Sequence, residues 1–234
     1  MTGTLYGIGL GPGDPDLMTV KAHRLISSAK VVAYPAPDSG DSFARSIAAD
    51  VISGSAIEIP IVIPMRVQRF PAQAVYDEAA ATIGAHLDNG TDVAVLCEGD
   101  PFFYGSFMYL FGRLAEDHKT EIVPGVTSMT ACAAMAARPL CARNEVLTVI
   151  PAPIDEALLR ERLQSCGAAV IMKVGRHIAK VRKVIDELRL TDRAVYVGHA
   201  SLPQQAVVPL TDAPETAPYF SIILIGGTDP YAQS

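Results

Sequence analysis

The residues with most to offer chemically stand just after short apolar runs. Glu98-Gly99-Asp100-Pro101-Phe102-Phe103-Tyr104-Gly105 follows the apolar run at 92–97 and joins two carboxylates, two glycines, a proline and three aromatic rings. Glycine admits backbone angles closed to other residues, proline fixes one dihedral and lacks an N–H, and flat rings pack on apolar ligand surface. Gly9-Leu10-Gly11-Pro12-Gly13-Asp14-Pro15 and Pro124-Gly125-Val126-Thr127-Ser128 stand in the same relation to runs at 4–8 and 121–123. Met172-Lys173-Val174-Gly175-Arg176 and Gly198-His199-Ala200-Ser201 follow two later runs. In open α/β sheets, ligands sit beyond the carboxyl ends of the strands, where such loops emerge. One Gly-Asp-Pro alone reads as an ordinary tight turn, so the other loops carry the argument for a pocket.

These loops suit binding and orientation more than nucleophilic attack. The histidines at 23, 86, 118, 177 and 199 are scattered, with no Gly-x-Ser-x-Gly elbow and no His-Glu-x-x-His pair. Cys97, Cys132, Cys141 and Cys166 form no C-x-x-C pair, so no metal site is expected and the thiols read as free in a reducing compartment. A dinucleotide fingerprint fails because Asp14 stands where its third glycine belongs, and a phosphate loop fails for want of a Gly-Lys-Ser/Thr ending. Loops without a nucleophile fit transfer from a reactive cofactor that the protein mainly holds and aligns.

The elements that must position these loops follow from periodicity. Apolar runs at 4–8, 31–34, 93–97, 121–123, 146–150, 169–172, 194–197 and 220–225 predict strands, and 57–63, with Pro60 inside, predicts an edge strand or extended loop. Helical spacing is expected over 43–52, 72–87, 106–114, 129–137, 155–164 and 178–188, with Asp16 or Thr19 capping a further helix after the first loop. Prolines crowd the chain after 200 and point to hairpin or edge strands there, not further βαβ units. The expectation is an α/β protein of two domains, 1–119 and a mixed 120–234.

Composition narrows the function classes. The 234 residues are half apolar, with a formal charge of -6 and a pI near 5.3. That balance argues against general nucleic-acid binding, which needs accumulated Lys and Arg. Met1 to Leu10 lacks a basic n-region and a long apolar core, and no apolar run reaches membrane-spanning length, so a cytoplasmic protein without membrane association is expected.

The strings Gly9-x-Gly11-Pro12-Gly13-Asp14-Pro15-x-Leu17-x-Thr19, Glu98-Gly99-Asp100-Pro101-x-x-Tyr104-Gly105 and Val123-Pro124-Gly125-Val126-Thr127-Ser128 together resemble the tetrapyrrole methylase family in order and spacing along nearly the whole chain. The fuller strings Glu98 to Phe107 and Met172 to Arg176 resemble most the branch that methylates C20 of precorrin-2 in cobalamin biosynthesis, with its cobalt-factor II counterpart very similar. The resemblance implies S-adenosylmethionine in a cleft between two α/β domains, usually of a homodimer. It assigns cofactor contacts to Pro12, Glu98, Gly99, Asp100, Phe103, Thr127 and Ser128, and approximately to Val174 and Ala200. Glu98, Tyr104 and His199 are candidates for moving a proton, each equally suited to binding or support. Arg66, Arg69, Lys173 and Arg176 are candidates to meet the carboxylates of the macrocycle, or are solvated surface residues. Two other branches of the fold family, acting on ribosomal RNA and on diphthamide intermediates, fit the acidic composition and the C20-like strings less well. A non-catalytic module holding cofactor or tetrapyrrole remains an alternative from another class.

Overall fold

The computed structural model describes residues 2–63 and 71–227. The described chain falls into two compact units, 1–127 and 128–234, each built on its own five-stranded sheet.

The first sheet comprises β1 (Leu5–Gly9), β2 (Val31–Pro37), β3 (Ile57–Ile63), β4 (Val93–Cys97) and β5 (Thr120–Val123). All its pairings are parallel, in the order β3-β2-β4-β1-β5. Parallel sheets bury both faces, and β4 shows why its run is continuously apolar. Val93, Val95 and Cys97 point into a core with α3 (Pro71–Asp88) and α4 (Phe107–Leu114). Ala94 and Leu96 point the other way, into a core with α1 (Val20–Ser28) and α2 (Phe43–Ile47). The chain therefore leaves β1 on one face and leaves the adjacent β4 on the other.

Thr19 caps α1 by accepting from Ala22 N–H, while Asp14 caps the short 3-10 turn Pro15–Leu17, so of the two expected caps the structure uses Thr19. Ser42 caps α2, which ends at Ile47, five residues short of the expected helix. Strand β2 runs through Pro35 and Pro37, past its expected end. Beyond Ala33 it pairs only with β3, so a missing N–H there leaves no second ladder incomplete. β3 is the edge strand that Pro60 demands. The strand expected to open a second domain at 120 instead pairs with β1 and completes the first sheet.

The second unit holds α5 (Ser128–Met135), β6 (Leu147–Pro151), α6 (Glu156–Gln164), β7 (Ala168–Met172), α7 (Ile178–Glu187), β8 (Ala194–Gly198), β9 (Ala206–Pro209) and β10 (Ser221–Ile225). Its order is β6-β7-β10-β8-β9, with only β6 and β7 parallel. This is the mixed sheet that the late prolines imply. Helices α6 and α7 cover one face through Leu159, Leu163, Val181 and Ile185, and α5 packs on β10 through a stretch of small residues.

The centre of β1 is closely fitted. A Cβ on Gly7 would stand 2.6 Å from Cδ1 of the fully buried Phe107, so α4 lies against bare backbone there. Gly7→Ala is expected to destabilise the protein by about 1–3 kcal/mol, as overpacking does. Adding Phe107→Leu should recover part of that loss in urea unfolding, whereas simple additivity would show that the ring is not what Gly7 accommodates.

Candidate functional site

In the first unit, three of the loops meet at the carboxyl edge of β4, β1 and β5. Gly9, Gly99 and Gly125 make the meeting possible. A Cβ on Gly9 would lie 2.6 Å from Gly125 N and 2.7 Å from Gly99 O, and one on Gly125 would collide with the Gly99 carbonyl oxygen. Gly99 and Gly11 form a two-residue antiparallel bridge: Gly99 N–H donates to Gly11 O at 2.7 Å and Gly11 N–H to Gly99 O at 3.2 Å. Both take positive φ, 65° and 83°, the left-handed region that favours glycine. Leu10 N–H donates to Cys97 O at 2.9 Å and extends the first loop along β4.

The carboxylates of the second loop are engaged with the main chain. Asp100 Oδ1 accepts from Phe102 N–H at 2.9 Å, and Oδ2 accepts from Gly125 N–H at 3.0 Å. One side chain thus shapes its own turn and joins it to the third loop. The carboxyl group of Glu98 is withdrawn from water, which pushes its pKa above the usual carboxylate value; hydrogen bonds from its own N–H and from Ala44 N–H, in the first turn of α2, oppose that rise. Glu98 thus meets main-chain donors at its carboxyl group.

The aromatic residues divide by role. Phe102 packs edge-on against Phe111 of α4, centroids 5.1 Å apart, and anchors the loop to the helix. Phe103 is half-buried and meets Tyr104 at 5.1 Å. Tyr104 is 42% exposed and holds φ at 56°, a conformation rare for an aromatic residue and characteristic of functional loops. A Cβ on Gly105 would stand 2.5 Å from Pro101 O, so the loop closes on itself there. Pro12 and Thr127 are half-buried along the same edge.

In the second unit, the exits of β7 and β8 and the approach to β10 share one sheet edge. Lys173 and His199 both have positive φ, 57° and 49°, as does Ser201 at 65°. Val174 is fully buried in the core and Ala200 is nearly so. His199 N–H donates to Phe220 O at 2.8 Å, its ring centroid lies 6.3 Å from that of Phe220, and its buried Nδ1 has no hydrogen-bond partner. Lys173 and Arg176 are exposed. His177, beside them, has its pKa lowered by loss of water and by the cationic Lys180 and Arg176. Phe220 and Tyr219 were invisible as site candidates in the sequence, because nothing in an aromatic pair ahead of a strand marks the strand's neighbour. Ser128 begins α5. Arg66 and Arg69 lie outside the described residues. Among the described residues no group of His, Cys, Asp and Glu could hold a metal ion, and no helix is long and apolar enough to cross a membrane.

The family model for tetrapyrrole (corrin/porphyrin) methylases matches residues 4–214. The chain belongs to the tetrapyrrole methylase family. Among its relatives, the cobalamin biosynthesis protein CobIJ of Mycobacterium tuberculosis is 42% identical over 96% of this chain, and this chain spans 46% of that protein's length. The precorrin-2 C(20)-methyltransferase of a Sinorhizobium species is 39% identical, with 96% of each chain covered. The cobalt-precorrin-2 C(20)-methyltransferase of Salmonella typhimurium is 34% identical over the whole of both chains. The crystal structure of a cobalt precorrin-4 methyltransferase superposes with a TM-score of 0.72 at 28% identity, covering 95% of this chain and 94% of that one. In this tetrapyrrole methylase, the three loops that carry the family resemblance follow strands of the parallel sheet, and the loops after Met172 and Gly198 follow strands of the mixed sheet.

Two measurements probe the glycine contact and the enclosed carboxylate. Gly125→Ala should cost about 1–3 kcal/mol in urea unfolding, while Gly54→Ala, with nothing near the added carbon, should stay within about 0.5 kcal/mol. Equal effects at the two positions would show that the loops are not in the contact described. A carboxyl group with a raised folded-state pKa contributes stability below its ordinary value, 4.5, and loses it as pH rises through the raised value. Glu98→Gln keeps an acceptor for Ala44, so its thermal midpoint should fall less than that of the parent protein between acid and neutral pH. Parallel pH curves would remove Glu98 from the cause.

Proposed function

We propose that the chain transfers the methyl group of S-adenosylmethionine to the C20 meso carbon of precorrin-2, giving precorrin-3A, in cobalamin biosynthesis. One observation carries the reading: three family-pattern loops converge at the carboxyl edge of a parallel sheet, where β1 and β4 send their chains to opposite faces. That divergence is where open α/β sheets bind ligands. The names of the Sinorhizobium and Salmonella relatives support the carbon position.

The cradle suits a cofactor with apolar and polar parts. Gly9, Gly11 and Gly125 bring main chain together where side chains would fill the space, and Gly99 takes the positive φ that its bridge to Gly11 requires. Pro12, Phe103 and Thr127 are the proposed direct contacts in the first unit, with Ser128, Val174 and Ala200 as candidates in the second. Glu98, Gly99 and Asp100 hold the loops through their backbone partners. The sulfonium of the bound cofactor supplies an electrophilic methyl carbon, so no covalent intermediate on the protein is required. The chain's own task is alignment and exclusion of water. Once C20 has been methylated its proton must leave. With Glu98 turned to backbone, Tyr104 and His199 are the better placed candidates to receive it.

Precorrin-2 bears several carboxylates, and Lys173 and Arg176 are the proposed partners within the described residues. Replacing both by Ala should raise KM for the macrocycle about tenfold with the cofactor KM little changed; an unchanged macrocycle KM would return them to the solvated surface. The central test combines the protein, labelled cofactor and precorrin-2 and follows the label by NMR. Label at C20 is expected, and label at another ring carbon would overturn the position but not the methyl transfer. The Salmonella relative's name favours a second substrate, the cobalt-bearing macrocycle, and side-by-side turnover of metal-free and cobalt-containing forms decides between them. A cytoplasmic homodimer is part of the same proposal, checked by sedimentation.

A further inference from the structure

We infer that Asp100 is a positioning residue: it serves the site by holding the third loop against the second, not by touching the cofactor. The inference rests on the reading of this edge as a cofactor cradle. The resemblance assigns Asp100 to direct contact, yet its two carboxylate oxygens lie 2.9 Å and 3.0 Å from main-chain nitrogens, of Phe102 and of Gly125. Hydrogen bonds from N–H to a charged carboxylate are about twice as strong as neutral ones.

The arrangement around Asp100 explains why a carboxylate is needed. Gly125 lies so close to Gly99 and Gly9 that no side chain fits, and close approach of bare backbone brings carbonyl oxygens together unless donors are supplied with partners. Gly99 O is already the acceptor of Gly11 N–H. Gly125 N–H, sitting between Gly9 and Gly99, takes Asp100 Oδ2 as its acceptor. The second oxygen fixes the turn at Phe102, directly before Phe103 and Tyr104. Asp100 therefore sets two things at once: the angle at which the aromatic residues leave the second loop, and the position of the segment leading to Thr127 and Ser128.

The chemistry distinguishes this role from direct binding. Asn at position 100 keeps one carbonyl oxygen and turns the other acceptor into an NH2 donor, so it serves one of the two amides and opposes the other. Ala serves neither. The experiment compares the full-length protein with D100N, D100A, G125A and the double variant D100A/G125A. In the absence of any ligand, amide hydrogen exchange at Gly125 should speed up about tenfold in D100A, and in D100N exchange should speed up at Gly125 or at Phe102, whichever amide the Asn oxygen leaves unserved. Calorimetry with S-adenosylhomocysteine should show a graded loss of affinity, and D100A/G125A should bind no more weakly than the worse single variant, because both changes break one contact. In turnover, the cofactor KM should rise while the macrocycle KM stays, a split that general loosening of the fold would not produce. Unchanged Gly125 exchange in D100A together with weakened binding would make Asp100 a direct ligand and overturn the inference, as would additive losses in the double variant. If the parent protein does not bind S-adenosylhomocysteine at all, the functional reading fails, while the exchange measurement on ligand-free protein still tests whether Asp100 holds Gly125.

Discussion

The first unit depends on main chain approaching main chain without side chains between. Gly9, Gly99 and Gly125 lie at the ends of three neighbouring strands, and a Cβ on Gly9 or Gly125 would part them. The contact leaves polar backbone groups that need partners: Gly11 and Gly99 satisfy one another, and Asp100 satisfies Gly125. Burial then fixes the surroundings, since Leu96 and Cys97 immediately upstream point into cores on opposite faces. A loop anchored in this way at both faces has little freedom to drift, which is what a site that works by alignment requires.

The two sheets divide the labour along the lines of their topology. The parallel sheet creates a diverging edge because its strands all run one way while the neighbours β1 and β4 send their helices to opposite faces. The mixed sheet has strands of both directions, so one edge collects three exits, from β6, β7 and β8, and two entrances, into β9 and β10. At that edge the backbone is held in the left-handed region at Lys173 and His199, and Tyr104 does the same on the other sheet. Non-glycine residues adopt such angles where the surroundings compel them; Lys173 and His199 stand directly after strands and Tyr104 in the loop that follows β4.

Much of this was legible in the sequence because the signals were strong ones. The run 93–97 could only be a buried strand, and the late prolines excluded more βαβ units. Boundaries were less legible where tertiary pairing outweighs local preference. Pro35 and Pro37 look like terminators, yet the strand continues because one of its sides is free. The run at 121–123 looks like a fresh start, but its place beside β1 is a matter of long-range pairing that no local pattern encodes. At the site, the loops were identifiable by composition while the roles of their side chains were not. Glu98 and Asp100 look alike in the sequence as ligand-facing acids; only the fold shows one against the first turn of α2 and the other against Gly125. His199 was visible as a residue, whereas its neighbour Phe220 stands just ahead of β10, which pairs with β8 across a long connection.

The strand order of the first sheet also bears on how the chain is made. β1 is made before its partners β4 and β5, and the last register pair, Ile8 with Val123, joins residues more than a hundred positions apart. Until β4 is made, Leu5 and Ile8, both fully buried in the finished protein, have no partner strand, and until β5 is made one side of β1 stays unpaired. Contacts so distant in sequence are slow to form, and an apolar strand waiting for them is exposed to wrong partners. The segment that organises the edge of the sheet is thus the one most in need of protection during synthesis, and the pace at which residues up to 123 appear sets how long that need lasts.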